Sequence, residues 1–103
     1  MGKKYDLNGK VALITGATGG IGAASARALY QQGASLVLTD LSRQALDSLA
    51  TEFDAQRVLA LPLDVTDAAA SKAVVEQIVE RFGRLDIAFA NAGIAWRNTP
   101  ATI

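Results

Sequence analysis

One segment of this 103-residue chain has the residue types and spacing to hold a phosphate. An apolar run, Val11-Ala12-Leu13-Ile14, leads directly into Thr15-Gly16-Ala17-Thr18-Gly19-Gly20-Ile21-Gly22, and the residues beyond read as a helix. Glycines at such a junction serve three separable ends: a tight turn, close approach of backbone to a pyrophosphate, and close packing of helix on strand. The helix N-terminus adds unpaired N–H groups and the positive end of its dipole. Gly16, Gly20 and Gly22 give G-x-x-x-G-x-G, not the commoner G-x-G-x-x-G. The absence of any Gly-Lys-Ser/Thr excludes a Walker A loop. Asp40 stands 18 residues beyond Gly22, at the end of a second apolar run, Leu36-Val37-Leu38. A carboxylate there can accept both ribose hydroxyls of an adenosine. The alternative is that Asp40 is a helix-cap residue ahead of Ser42.

Much other chemistry is excluded by composition. The chain has no Cys and no His, so it lacks disulfides, the usual transition-metal ligands, thiol nucleophiles and imidazole bases. Acid–base work would fall to carboxylates, Lys or Tyr. Ten Lys plus Arg balance ten Asp plus Glu, so no net field invites nucleic acid or an anionic membrane. The longest uncharged stretch, Val11 to Ala26, is too short to span a bilayer, and no apolar segment follows Lys3-Lys4 as in a signal peptide. Asp6 stands where N-myristoylation wants Ser or Thr. The expectation is one cytoplasmic domain.

The elements that must position these groups follow from periodicity. Two further runs, Val58-Leu59-Ala60-Leu61 and Ile87-Ala88-Phe89-Ala90, complete four strands apolar at consecutive positions, which suits a sheet covered on both faces. Three helical patterns alternate with them. The first runs from about Gly20 to Gln32 with Ile21, Ala24, Ala28 and Leu29 as its inner face. The second carries Ala45, Leu46, Leu49, Ala50 and Phe53, and the third Val74, Val75, Ile78, Val79 and Phe82. Gly33 and Gly83 suit C-caps, Ser42 and Thr66 suit N-caps, and Asp67 adds charge in a first turn. The pattern is βαβαβαβ, a parallel sheet with right-handed crossovers.

Four features in order resemble the short-chain dehydrogenase/reductase family across nearly the whole chain. Thr15 to Gly22 is similar to the family's T-G-x-x-x-G-I-G, and Asp64-Val65 to the D-V after its third strand. Gly83-Arg84-Leu85-Asp86 is similar to its G-x-L-D, and Ala90-Asn91-Ala92-Gly93 to its N-N-A-G, with Ala90 departing from the first Asn. The resemblance implies a Rossmann-type three-layer α/β fold, strand order 3-2-1-4, with the first two helices on one face and the third on the other. It implies that Gly16, Thr18, Gly20, Ile21 and Gly22 line the pyrophosphate and reach toward a nicotinamide. Asp40 and Leu41 would meet the adenosine ribose, and Asp64 and Val65 would flank adenine. Asn91, Ala92 and Gly93 would pass beneath the adenosine side, or Asn91 would serve mainly to tie strands together. NAD is favoured over NADP, because a 2′-phosphate wants Arg or Lys where the chain has Asp40, Leu41 and Gly19. Arg43 is the one cation nearby, expected to face solvent.

The family's proton chemistry uses a Tyr, a Lys four residues later and a Ser, all downstream of the Asn-Ala-Gly segment. Tyr5 and Tyr30 are followed four residues later by Gly9 and Ala34, so neither begins that pattern. No catalytic or metal-binding residue is therefore assigned. The expectation is a Rossmann domain's N-terminal, dinucleotide-binding half, spanning 1–103 without the catalytic half and inactive alone. An open edge at strand four would favour self-association. Trp96 would wall a substrate pocket in a complete enzyme, or lie in a loose tail. The complete enzyme is expected to be a homo-oligomer acting on a small-molecule substrate. The alternative is a stand-alone, non-catalytic dinucleotide-binding or interaction module; a methyltransferase-like nucleoside site is a distant third.

Overall fold

Strands that are apolar at every position need cover on both faces. The helices give it to the two central strands, whereas the edge strand Ile87–Ala90 keeps Ala88, Phe89 and Ala90 exposed, so the expected cover on both faces fails there. The computed structural model describes residues 6–91; Tyr5, Ala92, Gly93 and Trp96 lie outside them. Strands β1 (Val11–Thr15), β2 (Ser35–Asp40), β3 (Val58–Pro62) and β4 (Ile87–Ala90) form one parallel sheet in the order β3-β2-β1-β4. Helices α1 (Gly20–Gln31), α2 (Arg43–Ala50) and α3 (Ala68–Phe82) make the crossovers, with a 3-10 turn at Ala55–Arg57 before β3. This is the expected Rossmann-type α/β topology, each strand within two residues of its apolar run.

Alternate residues of each strand sort to opposite faces. Ala12, Ile14, Leu36, Leu38 and Val58 pack under α1 and α2, against Ala23, Ala26, Leu46 and Leu49. Val11 and Val37, with Leu63 just beyond β3, pack under α3, against Val74 and Ile78. The predicted division of helices between faces is what forms.

Four local expectations are corrected. The inner face of α1 is Gly22, Ala23 and Ala26, with Leu29 partly buried against the same core as expected, while Ile21, Ala24 and Ala28 are exposed. Alanines all round this helix leave its periodicity ambiguous, and the close approach of Gly22 to the preceding loop decides the rotation. On α3 only Val74 and Ile78 are buried; Val75 and Val79 face outward. The N-cap of α3 is Asp67, whose carboxylate accepts from the Ala70 N–H at 3.0 Å, and not Thr66. Thr66 instead donates its N–H and hydroxyl to Asp64 Oδ1. Ser42 caps α2 as expected, accepting from the Ala45 N–H at 3.1 Å. Gly83 is the left-handed C-cap of α3, whereas α1 has Gln32 as its C-cap and Gly33 one residue beyond.

Candidate functional site

A parallel sheet collects the C-terminal ends of its strands, and loops carrying function gather there. At the end of β1 the chain turns at Gly16, whose φ of +63° is a conformation that glycine adopts without steric cost. The loop is pinned to its neighbours: Ala17 N–H donates to Thr39 O at 3.0 Å, and Gly19 N–H to Gly16 O at 3.2 Å. Gly22 then passes so near this loop that a Cβ on it would lie 2.9 Å from Ala17 Cα and closer still to Gly16 O. The third glycine's role is thus helix-on-loop packing. Gly20 differs, since a Cβ there would meet nothing within 4 Å. It borders open space.

That open space lies over the first turn of α1. The N–H groups of Gly20, Ile21 and Gly22 have no acceptor among the described residues, and no acidic side chain occupies the turn. The Gly19 N-cap offers no side-chain bond either. The turn presents aligned donors and a positive dipole end to whatever anion approaches.

At the start of the same glycine loop, Gly16 borders a cleft of about 230 Å³ whose other lining residues are Asp40, Leu41, Leu63, Asp64, Val65 and Thr66. Leu41 and Val65 are exposed apolar side chains on its rim, suited to the faces of a flat ring. Leu63 and Thr66 were not among the residues expected here. Leu63 follows β3 and is tied by its N–H to Asp40 O at 2.8 Å, a contact that no local pattern announces. Asp64 holds the loop into α3 through Thr66, whose hydroxyl and N–H keep its carboxyl below the usual range.

Asp40 does not cap α2. Its Oδ2 accepts from the Thr18 hydroxyl at 2.5 Å and the Thr18 N–H at 3.0 Å, and its Oδ1 from the Leu41 N–H at 2.7 Å. Burial pushes its carboxyl up, but the Thr18 hydroxyl and the two N–H donors outweigh it and leave it below the ordinary value. Asp40 is therefore an ionised, oriented acceptor on the cleft wall. Arg43, the cation in question, is exposed and pairs with Asp47 at 3.4 Å.

Asn91 does tie the strand ends together. Its N–H donates to Thr15 Oγ1 at 3.0 Å and its Nδ2 to Gly16 O at 3.3 Å, fixing the end of β4 to the glycine loop. Ala92 and Gly93 lie outside the described residues. Tyr30 stands near the other end of α1, about 15 Å along the helix from Gly20. Its hydroxyl accepts from the Asp54 N–H at 3.1 Å, and its ring stacks under the Arg57 guanidinium, 3.9 Å from the centroid. Among the described residues no His, Cys, Asp and Glu cluster could hold a metal ion, and no helix is long and apolar enough to cross a membrane.

Residues 10–102 match the sequence profile of the short chain dehydrogenase family. An uncharacterized oxidoreductase of Staphylococcus haemolyticus is 42% identical over 97 residues, 94% of this chain and 42% of the relative. A glucose/ribitol dehydrogenase-type short-chain dehydrogenase/reductase from Brucella melitensis superposes with a TM-score of 0.79 at 36% identity, over 84% of this chain and 37% of that one. A 3-ketoacyl-(acyl-carrier-protein) reductase from the same organism, crystallised with NADH, gives 0.76 at 36% identity, over 81% and 34%. The chain thus spans about two-fifths or less of these relatives.

Proposed function

The chain belongs to the short-chain dehydrogenase family, and on that premise we propose that residues 1–103 are the NAD(H)-binding, N-terminal half of an oxidoreductase. The complete enzyme would transfer a hydride between the nicotinamide and an alcohol or carbonyl of a small-molecule substrate. The observation that carries this reading is Asp40, held below its ordinary pKa on the wall of a cleft that it shares with Gly16, the start of the glycine loop that leads into the unpaired N–H groups of α1. The residues fit the cofactor in type and order. Gly20, Ile21 and Gly22 would donate N–H bonds to the pyrophosphate, with the open side of Gly20 admitting it. Asp40 would hold the adenosine ribose, and Leu41, Asp64 and Val65 would flank the adenine. Thr18 would support Asp40, while Asn91, with Ala92 and Gly93, would carry the strand-four side of the site.

The bound nicotinamide supplies the hydride chemistry; these residues bind and orient it. No residue of this half is assigned to the substrate proton. Tyr30→Phe is expected to leave cofactor affinity unchanged and to cost at most about 1 kcal/mol of stability, the worth of one exposed hydrogen bond. A large loss of affinity in that variant would mean that the phenol acts at the site. A cytoplasmic location and a homo-oligomeric complete enzyme belong to the same reading.

NAD is favoured over NADP on electrostatic grounds. Asp40 would repel a 2′-phosphate, and Arg43 is engaged with Asp47. Calorimetric titration of the chain with NAD and with NADP tests this: NAD should bind more tightly. Binding of neither, or a preference for NADP, overturns the reading.

A further inference from the structure

We infer that Thr18 is a positioning residue for nucleotide selection, fixing Asp40 from behind so that the carboxylate meets the ribose already oriented. This rests on the dinucleotide reading above. A carboxylate offers roughly four acceptor positions. Thr18 fills both on Oδ2 and Leu41 fills one on Oδ1. The three donors come from two segments, the glycine loop and the turn after β2, so the carboxylate plane is fixed at both ends. Thr18 itself is not part of the cleft lining, whereas Asp40 is. It acts through Asp40. The hydroxyl is the one donor of the three that a substitution can remove while leaving the backbone in place.

The charged surroundings are simple. The glycine loop and the described strands beside Asp40, β1 and β3, carry no charged side chain; Asp64 lines the same cleft, and Arg43 of α2 is paired with Asp47. Removing the Thr18 hydroxyl therefore leaves nothing to take its place on Oδ2 but water, and places a methyl group there.

Thr18→Val is expected to weaken NAD binding about tenfold, the scale of one charge-assisted hydrogen bond, with a smaller effect on NADP. The acid limb of NAD affinity, where Asp40 takes up a proton, should move to higher pH in the variant. Carbon-13 titration of the Asp40 carboxyl in the free chain should show the same upward move. Thr18→Ser keeps the hydroxyl and should restore affinity and limb together; a melt of each variant confirms folding, and Thr18→Ala replaces Thr18→Val if the latter does not fold. Wild type that binds NAD while Thr18→Val binds it equally well, or more tightly, with the same acid limb overturns the inference alone. Tighter binding would make the hydroxyl a plug that the ribose must displace. Wild type that binds no NAD overturns the inference and the dinucleotide reading together.

Discussion

Gly22→Ala is expected to lower the Tm by about 5–15 °C, for a net loss of about 1–3 kcal/mol, and to weaken NAD binding with it. Helix propensity alone demands the opposite, since alanine is better than glycine in a helix by about 1 kcal/mol. The loop decides the sign. The new Cβ would sit 2.9 Å from Ala17 Cα, 3.0 Å from the Gly16 carbonyl carbon and closer to its oxygen. All three are backbone atoms, and Gly16 and Ala17 are held by Asn91 and by Thr39 O, so the neighbour cannot rotate aside. Helix α1 must move off the loop, carrying its first-turn N–H groups with it. Gly20→Ala separates the two roles of the motif. Its Cβ meets nothing within 4 Å and its φ is not positive, so stability should hold or rise by up to about 1 kcal/mol. Affinity should still fall, because the added methyl fills the side from which the phosphate approaches. Equal Tm values for Gly22→Ala and wild type would mean that the helix can retreat from the loop without loss of packing.

How much of this was legible in the sequence depends on whether a feature is local. Strands and helices were readable because Val, Ile and Leu runs and three- and four-residue repeats are local signals. Right-handed crossovers set the hand of each connection but not the strand order, which only the family resemblance implied. Which residue faces which layer was not readable on the strands. Leu36, Val37 and Leu38 are all fully buried, so hydropathy gives no sign that the outer two face α1 and α2 while the middle one faces α3. The same ambiguity, made by alanine instead of leucine, misplaced the inner face of α1.

The site divides in the same way. Glycine spacing and a carboxylate at a strand end announce a nucleotide. The bonds that make the carboxylate usable join residues far apart in sequence. Thr18 and Asp40 are 22 positions apart, and Asn91 and Gly16 are 75. Only parallel pairing of β1 with β2 and with β4, in the register Thr15 to Thr39 and Thr15 to Ala90, brings those ends together. Asp67 was readable as a favourable charge but not as the cap. Thr66 is the better-looking cap by position until Asp64 claims its hydroxyl.

Asp40→Ala should weaken NAD binding by about 1–3 kcal/mol, on the order of 5- to 150-fold, and NADP binding much less or not at all. The acceptor position left on Oδ1 would take a ribose hydroxyl through a charge-assisted bond, which is stronger than a neutral one. A 2′-phosphate removes the 2′-hydroxyl as a donor and sets like charge a few ångströms from Asp40, so deleting the carboxylate also deletes a repulsion. The structure adds a second consequence. The same carboxylate binds the Thr18 hydroxyl, the Thr18 N–H and the Leu41 N–H, so its loss also frees the glycine loop from the end of β2. Loosening of that kind would weaken both cofactors alike, since each needs the loop for its pyrophosphate. The NADP titration is therefore the internal control: it reads the loop, and the difference between the two cofactors reads the selector. A change in the NAD-to-NADP affinity ratio of tenfold or more, with NADP held or improved, assigns Asp40 the discriminating role. Equal losses for both would make Asp40 a tie between β2 and the glycine loop and leave cofactor choice to another residue.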